Sequence, residues 1–408
     1  MESQKILQIL SDTAYVRTGG SAEELRCAQY LADRCAELGH TATIEAFEVP
    51  VSTIQEAALW IDGRQIPCKG YLCAGNADLE APLYYMTGRD PYSISQAKGK
   101  IVLLDGGAGY WLYQDLLEAG CLGFISYDGN VRYDHDDIDQ RELRSYVHNG
   151  KRMPAVNINV KDAVRIVSSG ASTARLLLRQ EETVGHSHNV ILDLPGESED
   201  TIVFTAHYDS TFLSQGAYDN MSGSIGILAI AEYFASHPHR CSLRFIWCGS
   251  EERGLLGSKA YCAAHEEELK NVVLNINLDM IGCVMGKFSC CCTSEEKLAH
   301  YVEYLGQELG RGVSVMQIAY PSDSTSFADK AIPAVTFARD APPTTATIHN
   351  RYDTMDAVKP EHLLEDVAFV IAFADRMANA ARCPVARMMP DNMKEKLDIY
   401  MFRKRDKK

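Results

Sequence analysis

The sequence has no long hydrophobic run and no excess of positive charge, and each absence excludes a class of partner. No stretch approaches the roughly 18 uninterrupted apolar residues that a membrane-spanning helix requires. Lysine and arginine number 40 against 55 aspartates and glutamates, a formal net charge of −15. Nucleic acid and anionic membrane surfaces repel such a chain. We therefore predict neither nucleic acid nor a membrane as a partner.

The first residues also lack the pattern of a secretory signal, because MESQKILQILSDTAYV is charged early and has no continuous apolar core. The 13 cysteines are then expected to be reduced thiols, which is typical of a cytoplasmic protein. Three of them are consecutive, Cys290–Cys292, with no C-x-x-C pair beside them. Because neighbouring residues of a strand point to opposite faces, we interpret these three as strand packing rather than as a metal site.

The length of 408 residues is sufficient for two or three domains. Apolar residues recur at helical spacing over residues 22–39, with Gly39 as the predicted stop. Beyond residue 188, apolar runs such as TIVFTA and PAVTFA alternate with helical segments such as SGSIGILAIAEYFAS. This alternation predicts an α/β fold with a mostly parallel, doubly wound mixed sheet that is flanked by helices.

The middle of the chain, residues 48–185, has shorter apolar runs separated by turns. We predict that it forms a smaller, β-rich α/β domain inserted into a discontinuous larger domain, residues 1–47 and 186–385. Residues 386–408 are predicted to be a basic C-terminal helix or tail. A solvated terminus is the default interpretation, and a contact within a homo-oligomer is the alternative.

Polar side chains follow the apolar runs of the larger domain, at the points where strands are predicted to end. These residues are His207, Asp209, Asp219, Glu251, Glu252, Asp279 and His349. Ligands of doubly wound sheets bind beyond the carboxyl ends of the strands, so we expect these side chains to converge. Carboxylates at this density repel one another in a low-dielectric crevice, and a bound cation relieves the repulsion. The pattern therefore predicts a metal centre.

The number of ligands favours two metal ions. Two histidines and three carboxylates exceed the needs of one tetrahedral zinc ion but suit a pair of ions that share a carboxylate. We predict that His207 and Asp279 bind one ion. Glu252 and His349 then bind the other, with Asp219 as the bridge between them. Nitrogen and oxygen ligands favour zinc in both positions, with Mn²⁺ or Co²⁺ as substitutes.

Two neighbours of these ligands are predicted to support catalysis. Asp209 follows His207 by two residues, so on an extended backbone its carboxylate faces the same way and accepts the second ring N–H of His207. Glu251 stands beside a ligand but is not needed as one. We predict that it takes a proton from water and passes it to the leaving amine. The reaction class is then metal-assisted amide hydrolysis.

The motifs of this centre resemble those of the co-catalytic zinc aminopeptidase family, which also contains glutamate carboxypeptidase II. The matching stretches are AHYDS, GAYDNMSG, GSEERGLLGS, NLDMIG, SDSTSFADKAIPA and IHNRYDTMD, which cover most of residues 189–360. The resemblance implies the same five metal ligands, the same base and a cis peptide bond between Asp219 and Asn220. Residues 48–185 are similar to the protease-associated domain inserted in many members, through GKIVLLDGG, EAGCLGFISYDG and MPAVNIN.

The chain departs from this family at two positions. Ser324 follows SD where members often have histidine, and Ile348 precedes the last ligand where they often have tyrosine. The second difference removes one way of stabilising the developing oxyanion. Tyr320, just before PSDS, is a candidate replacement and is counted among the catalytic residues.

Three functions remain open at this point. The leading hypothesis is an aminopeptidase that removes amino-terminal residues from peptides. A carboxypeptidase or dipeptidase of small acidic or modified peptides would have the same metal centre. A non-catalytic binding protein could also use this scaffold, although such proteins typically lose metal ligands.

Overall fold

A computed structural model describes residues 1–406, and residues 407 and 408 at the end of the predicted tail lie outside the described residues. The chain divides into two compact units. The first comprises Met1–Val49 together with the chain from His186 onward, and the second comprises Pro50–Gly185. Each unit has a hydrophobic core of its own.

The regular elements are numbered here in chain order. The helices are α1 Ser3–Asp12, α2 Ala22–Glu37, α3 Pro91–Ser95, α4 Tyr110–Ala119, α5 Ser145–His148, α6 Val160–Ser168, α7 Ser222–Phe234, α8 Leu256–Ala264, α9 Glu296–Glu308, α10 Ser324–Ala328, α11 Pro360–Ala378 and α12 Asp391–Tyr400. The strands are β1 Thr43–Ile61, β2 Arg64–Ile66, β3 Lys69–Gly70, β4 Ala77–Met86, β5 Ile101–Leu104, β6 Gly123–Asp128, β7 Ala155–Asn159, β8 Thr173–Leu194, β9 Ser198–His207, β10 Cys241–Cys248, β11 Val272–Leu278, β12 Lys287–Thr293, β13 Ser314–Met316 and β14 Ala334–Asp340. Within residues 1–406, no helix combines the length and the apolar character needed to cross a bilayer.

The first unit is built on a mixed sheet with the strand order β13–β12–β14–β11–β9–β10–β8. The central strands β14, β11, β9 and β10 run parallel to one another. Strands β12 and β8 pair antiparallel with the two ends of this block. The predicted α/β fold with a mostly parallel mixed sheet is therefore confirmed.

Both faces of this sheet are buried, which explains why its strands are continuous apolar runs. Ile202 and Phe204 of β9 point into a core shared with α7 and α11. Val203, between them, points into a second core with Tyr261 of α8 and Phe327 of α10. A strand covered on both faces has no solvent-facing side on which polar residues would alternate.

The cysteines are free thiols in the structure. Cys290 and Cys292 of β12 lie in the main core of the first unit, whereas Cys291 between them is buried outside that cluster. The interpretation of this run as strand packing is confirmed.

Helix α2 begins at Ala22, after Ser21, whose hydroxyl accepts the N–H of Glu24 at 3.1 Å. It ends at Glu37, just before Gly39 with its left-handed φ of 83°. The predicted helix over residues 22–39 is thus present and two residues shorter.

The second unit contains a parallel block of strands in the order β4–β5–β6–β7, with β3 antiparallel at the edge of β7. Helices α4 and α6 contribute Leu116 and Ile166 to its core, which also contains the whole of β5. This unit is the smaller, β-rich α/β part of the fold. Its likeness to protease-associated domains stays a prediction.

The carboxyl-terminal segment differs from the solvated terminus that the sequence suggested. Met393 and Leu397 of α12 are 0% and 3% exposed and pack against Ala328 and Ala334 of the first unit. They are four residues apart on one face of the helix, so a short apolar stripe suffices to dock it. The basic residues that suggested a solvated terminus are not part of this apolar stripe. One of them, Arg403, pairs with Asp329.

Truncation of Met393 tests this docking. We expect Met393→Ala to lower the free energy of unfolding by about 2 kcal/mol or more, because the variant leaves a cavity under α12. The matched control is Lys394→Ala at the neighbouring exposed position, which should change stability by less than about 0.5 kcal/mol. Denaturant unfolding measures both values, and equal stabilities of the two variants would contradict the docking.

Candidate metal centre

The predicted site residues lie at the carboxyl ends of adjacent parallel strands. His207 is the last residue of β9, and Asp279 directly follows β11. Asp219 lies in the helical turn Ala217–Met221 that leads into α7. The glutamate pair follows β10, and His349 follows β14 with a left-handed φ of 60°. Since these strands are neighbours in the sheet, their carboxyl ends bring the five segments to one place.

The first group of side chains consists of His207, Asp219 and Asp279, all of them buried. Nε2 of His207 lies 3.2 Å from Oδ1 of Asp219 and 3.8 Å from Oδ1 of Asp279. One donor atom of each residue lies within 4.8 Å of the other two, so the three could hold one cation.

The second group consists of Asp219, Glu252 and His349, with the same spacing of donor atoms. Nε2 of His349 lies 3.1 Å from Oδ2 of Asp219 and 3.2 Å from Oε2 of Glu252. Asp219 therefore belongs to both groups and presents a different carboxylate oxygen to each histidine. This is the arrangement expected of a bridging ligand between two cations.

Asp209 contacts one residue of each group, His207 of the first and Glu252 of the second. Its Oδ1 lies 3.4 Å from Nδ1 of His207, on the ring edge opposite the candidate ligand atom. The same carboxylate accepts the backbone N–H of Glu251 at 3.0 Å and that of Glu252 at 3.2 Å. Asp209 is thus positioned to orient the histidine, as predicted, and it also holds the turn that carries the glutamates, which the sequence did not reveal.

Burial and mutual repulsion perturb the carboxylates of the centre. Burial raises the pKa of Glu251 well above its ordinary value, and the adjacent Glu252 adds to the rise while His207 opposes it. Burial likewise raises the pKa of Asp279 to about 7. Burial also acts to raise the pKa of Asp219, but hydrogen bonds with the two histidines bring it below its ordinary value.

The two histidines carry the compensating charge. Burial acts to lower the pKa of His207, but Glu251 and Asp209 raise it well above its ordinary value. The side chain of His349 is 46% exposed, so its desolvation, which acts to lower its pKa, is only partial, and the carboxylates of the second group raise that pKa to about 11. The raised pKa of each histidine shows that the surrounding carboxylates favour positive charge at this place, where a divalent cation would be favourable.

The residues present fit a bound zinc ion by two observations. Oδ1 of Asp279 is buried and accepts no hydrogen bond from any residue in the described part of the chain, a state that costs about 1–3 kcal/mol. The donor atoms around it are imidazole nitrogens and carboxylate oxygens, which suit zinc.

The peptide bond between Asp219 and Asn220 is cis, which confirms the expectation from the resemblance. The side chain of Asn220 links this turn to the end of β11. It accepts the backbone N–H groups of Gly223 at 3.0 Å and Met280 at 2.9 Å, and it donates to the carbonyl of Leu278 at 3.0 Å. The turn of one candidate ligand is thereby joined to the strand of another.

The residues at which the chain departs from the family lie around the centre. Burial raises the pKa of Tyr320, and the negative charge of Asp279 raises it further. Ser324 is buried and its hydroxyl lies 2.8 Å from that of Thr336. Ile348 is half-buried next to His349. The role of Tyr320 stays a prediction.

Three residues near the centre escaped the sequence reasoning, namely Arg17, Asn220 and Asp353. Each acts on backbone groups of the turns that carry the ligands. Contacts of a side chain with a distant backbone leave no spacing pattern in a single sequence. Only the position of Asp353, four residues after His349, could have drawn attention to it.

Addition of zinc to metal-free protein tests whether this centre binds a cation. We expect zinc to raise the free energy of unfolding by about 2.7 kcal/mol at a free concentration 100 times its dissociation constant, because it neutralises buried carboxylates. Asp219→Asn should lose most of this response. Asp366→Asn, an equally buried aspartate on α11, should retain it. Thermal unfolding with and without chelator measures the response, and its absence from the parent protein would contradict the assignment.

Comparison with known proteins identifies related sequences and folds. Residues 189–374 match the model of peptidase family M28. The chain is 31% identical to aminopeptidase YwaD of Bacillus subtilis (strain 168) over 288 residues, which are 69% of this chain and 61% of YwaD. It is 29% identical to leucine aminopeptidase 2 of Trichophyton rubrum over 198 residues, 46% of this chain and 38% of that protein. The chain thus spans less than two thirds of the length of these relatives.

Solved structures share the fold over nearly the whole chain. A zinc aminopeptidase from Bacillus subtilis has a TM-score of 0.77 and 25% identity, covering 95% of this chain and 97% of that one. An aminopeptidase from Aneurinibacillus sp. strain AM-1 has a TM-score of 0.72 and 22% identity, covering 94% and 96%. The mixed sheet flanked by helices is therefore the fold of these enzymes. Residues 189–374, which match the model of peptidase family M28, carry all the predicted metal ligands.

Proposed function

We propose that the protein is a zinc-dependent aminopeptidase with two zinc ions in its active site. One observation carries the proposal: two groups of ligand atoms share the two oxygens of Asp219, and an additional, partly buried carboxylate, Glu251, lies beside them. The names of the relatives support it, since YwaD, the Trichophyton protein and the Bacillus structure are all aminopeptidases.

The ligands are assigned as the sequence predicted. His207 and Asp279 hold one ion, Glu252 and His349 hold the other, and Asp219 bridges. When bound, zinc supplies Lewis-acid chemistry, which lowers the pKa of a water and polarises the substrate carbonyl. Mn²⁺ and Co²⁺ share the preference for these ligands and are the proposed substitutes.

Glu251 is the proposed general base. Its Oε2 lies 3.9 Å from Nε2 of His207, next to the first group of ligands but outside both groups. From this position it would take a proton from water and pass it to the leaving amine. Asp209, whose Oδ1 lies 3.4 Å from Nδ1 of His207, is the proposed partner that orients this ring. Tyr320 is the proposed donor to the developing oxyanion, in place of the tyrosine that Ile348 replaces.

Two broader assignments belong to the same proposal. The second unit, Pro50–Gly185, is proposed to be a protease-associated domain, which its parallel β-rich core supports. The cytoplasmic location predicted from the sequence is kept, on the support of the free cysteines. Peptides are the proposed substrates.

Replacement of the base tests the mechanism. We expect Glu251→Gln to lower kcat about 10²- to 10⁴-fold on aminoacyl anilides, because an amide cannot accept the proton, while the zinc content stays at the parent level. Glu296→Gln on the exposed start of α9 is the matched control and should have parent activity. Equal turnover by Glu251→Gln and the parent would overturn the assignment of the base.

Blocked peptides test which end of the substrate is cleaved. One peptide is offered in three forms, with both ends free, with an acetylated amino terminus and with an amidated carboxyl terminus, and products are identified by mass spectrometry. We expect acetylation to abolish cleavage and amidation to leave it intact. The reverse pattern would identify a carboxypeptidase, and cleavage of no form by zinc-loaded protein would favour a binding protein.

A further inference from the structure

The loop from Tyr208 to Asp219, called the bridge loop below, joins β9 to α7 and carries both Asp209 and Asp219. Most of its residues are buried, although it forms no strand and only its end is helical. Its backbone N–H and C=O groups therefore need partners from elsewhere in the protein. Two charged side chains that are distant in sequence, Arg17 and Asp353, supply several of those partners.

Arg17 binds the carbonyl groups of the bridge loop. Its guanidinium donates to the carbonyls of Tyr208, Gln215 and Gly216, the last at 2.7 Å. The backbone adds two more links, since the N–H of Arg17 donates to the hydroxyl of Ser210 at 3.1 Å and its carbonyl accepts the N–H of Ser210 at 3.2 Å. Arg17 is 0% exposed. Besides these contacts, its guanidinium donates hydrogen bonds to carbonyls of its own segment.

Asp353 binds the N–H groups of the same loop. Its Oδ1 accepts from the backbone of Tyr218 at 2.7 Å, and its Oδ2 accepts from the backbone of Asp219 at 3.1 Å. The hydroxyl of Ser214 also donates to Oδ2 at 3.3 Å and accepts the N–H of Gly216 at 2.8 Å. Asp353 is likewise 0% exposed.

Gly216 lies in close contact with both Arg17 and the turn of Asp219. It has a left-handed φ of 57°, and a Cβ added there would lie 2.6 Å from the carbonyl oxygen of Asp219 and 3.0 Å from Nη2 of Arg17. The loop thus passes between the guanidinium and the turn of the bridging carboxylate with no room for a side chain.

Arg17 and Asp353 bind different kinds of backbone group in the bridge loop, which distinguishes them from ordinary packing contacts. A buried arginine is usually balanced by direct contact with carboxylates, and even the partly exposed Arg244 of the same unit pairs with Asp193 and Glu268. Arg17 instead donates to carbonyls at both ends of the bridge loop, while Asp353 accepts from N–H groups at its far end. One end adjoins His207 and Asp209, and the other end is Asp219. The pair therefore fixes the separation of the residues on which both ligand groups depend.

We propose that Arg17 and Asp353 are positioning residues of the metal centre. By holding the two ends of the bridge loop, they aim one oxygen of Asp219 at each ligand group and so set the affinity for the zinc pair. This inference rests on the proposed function, because it assumes that zinc binds at the two groups.

The experiment compares Arg17→Lys, Asp353→Asn and the double variant with the parent and with Arg244→Lys. Lysine keeps the charge but lacks the fork that reaches several carbonyls, and asparagine keeps the shape but not the acceptor pair. Zinc affinity is measured by competition with a chelator, and the free energy of unfolding is measured on metal-free samples. We expect each single variant to bind zinc about 10- to 100-fold more weakly. The loss in the double variant should be smaller than the product of the single losses, because both act on one loop.

Arg244→Lys should lose stability yet keep the parent zinc affinity. If Arg17→Lys does not fold, Ser214→Ala removes a single hydroxyl from the same network and should weaken zinc binding in the same direction. Variants that bind zinc as tightly as the parent, whatever their loss of stability, would overturn the positioning role and leave the proposed function intact. A parent protein that binds no zinc would overturn both.

Discussion

The repulsion among buried carboxylates at one edge of a sheet is the constraint on which the rest of the structure depends. Asp219 and Asp279 lie within 4.8 Å of a common histidine nitrogen, and the partly buried Glu251 and Glu252 lie beside them. Charges of one sign at this spacing oppose folding unless a cation or a proton neutralises them. The raised pKa values of Asp279, His207 and His349 express this constraint, and the proposed pair of divalent ions would relieve it.

The fold brings the predicted ligands together by holding the backbone of the turns that carry them, and not only their side chains. Parallel strands deliver His207 and Asp279 from β9 and β11, and their neighbours β10 and β14 deliver the other ligands. Asp209 ties the glutamate turn to the histidine, and Asn220 ties the bridging turn to the end of β11. Charged and amide side chains thus bind backbone groups of the turns that carry Glu252, Asp219 and Asp279, so that these residues lie close to one another without a metal.

The sequence predicted the fold and the converging residues because both depend on local patterns. Strands buried on two faces are continuous apolar runs, and ligands such as His207 and Asp279 directly follow them. The residues that hold the turns were not predictable in this way. Arg17 lies 199 residues from Gly216, whose carbonyl it binds, and no periodicity records such a contact. The docking of α12 was missed because two apolar residues in a basic segment, Met393 and Leu397, are a weak signal without knowledge of the surface they meet.

The most direct test of the central claim is anomalous X-ray diffraction at the zinc edge from crystals of the zinc-loaded protein. The account predicts two peaks about 3.5–4 Å apart, one on each side of the Asp219 carboxylate, with His207 beside one and His349 beside the other. A single peak, or peaks located away from Asp219, would contradict it.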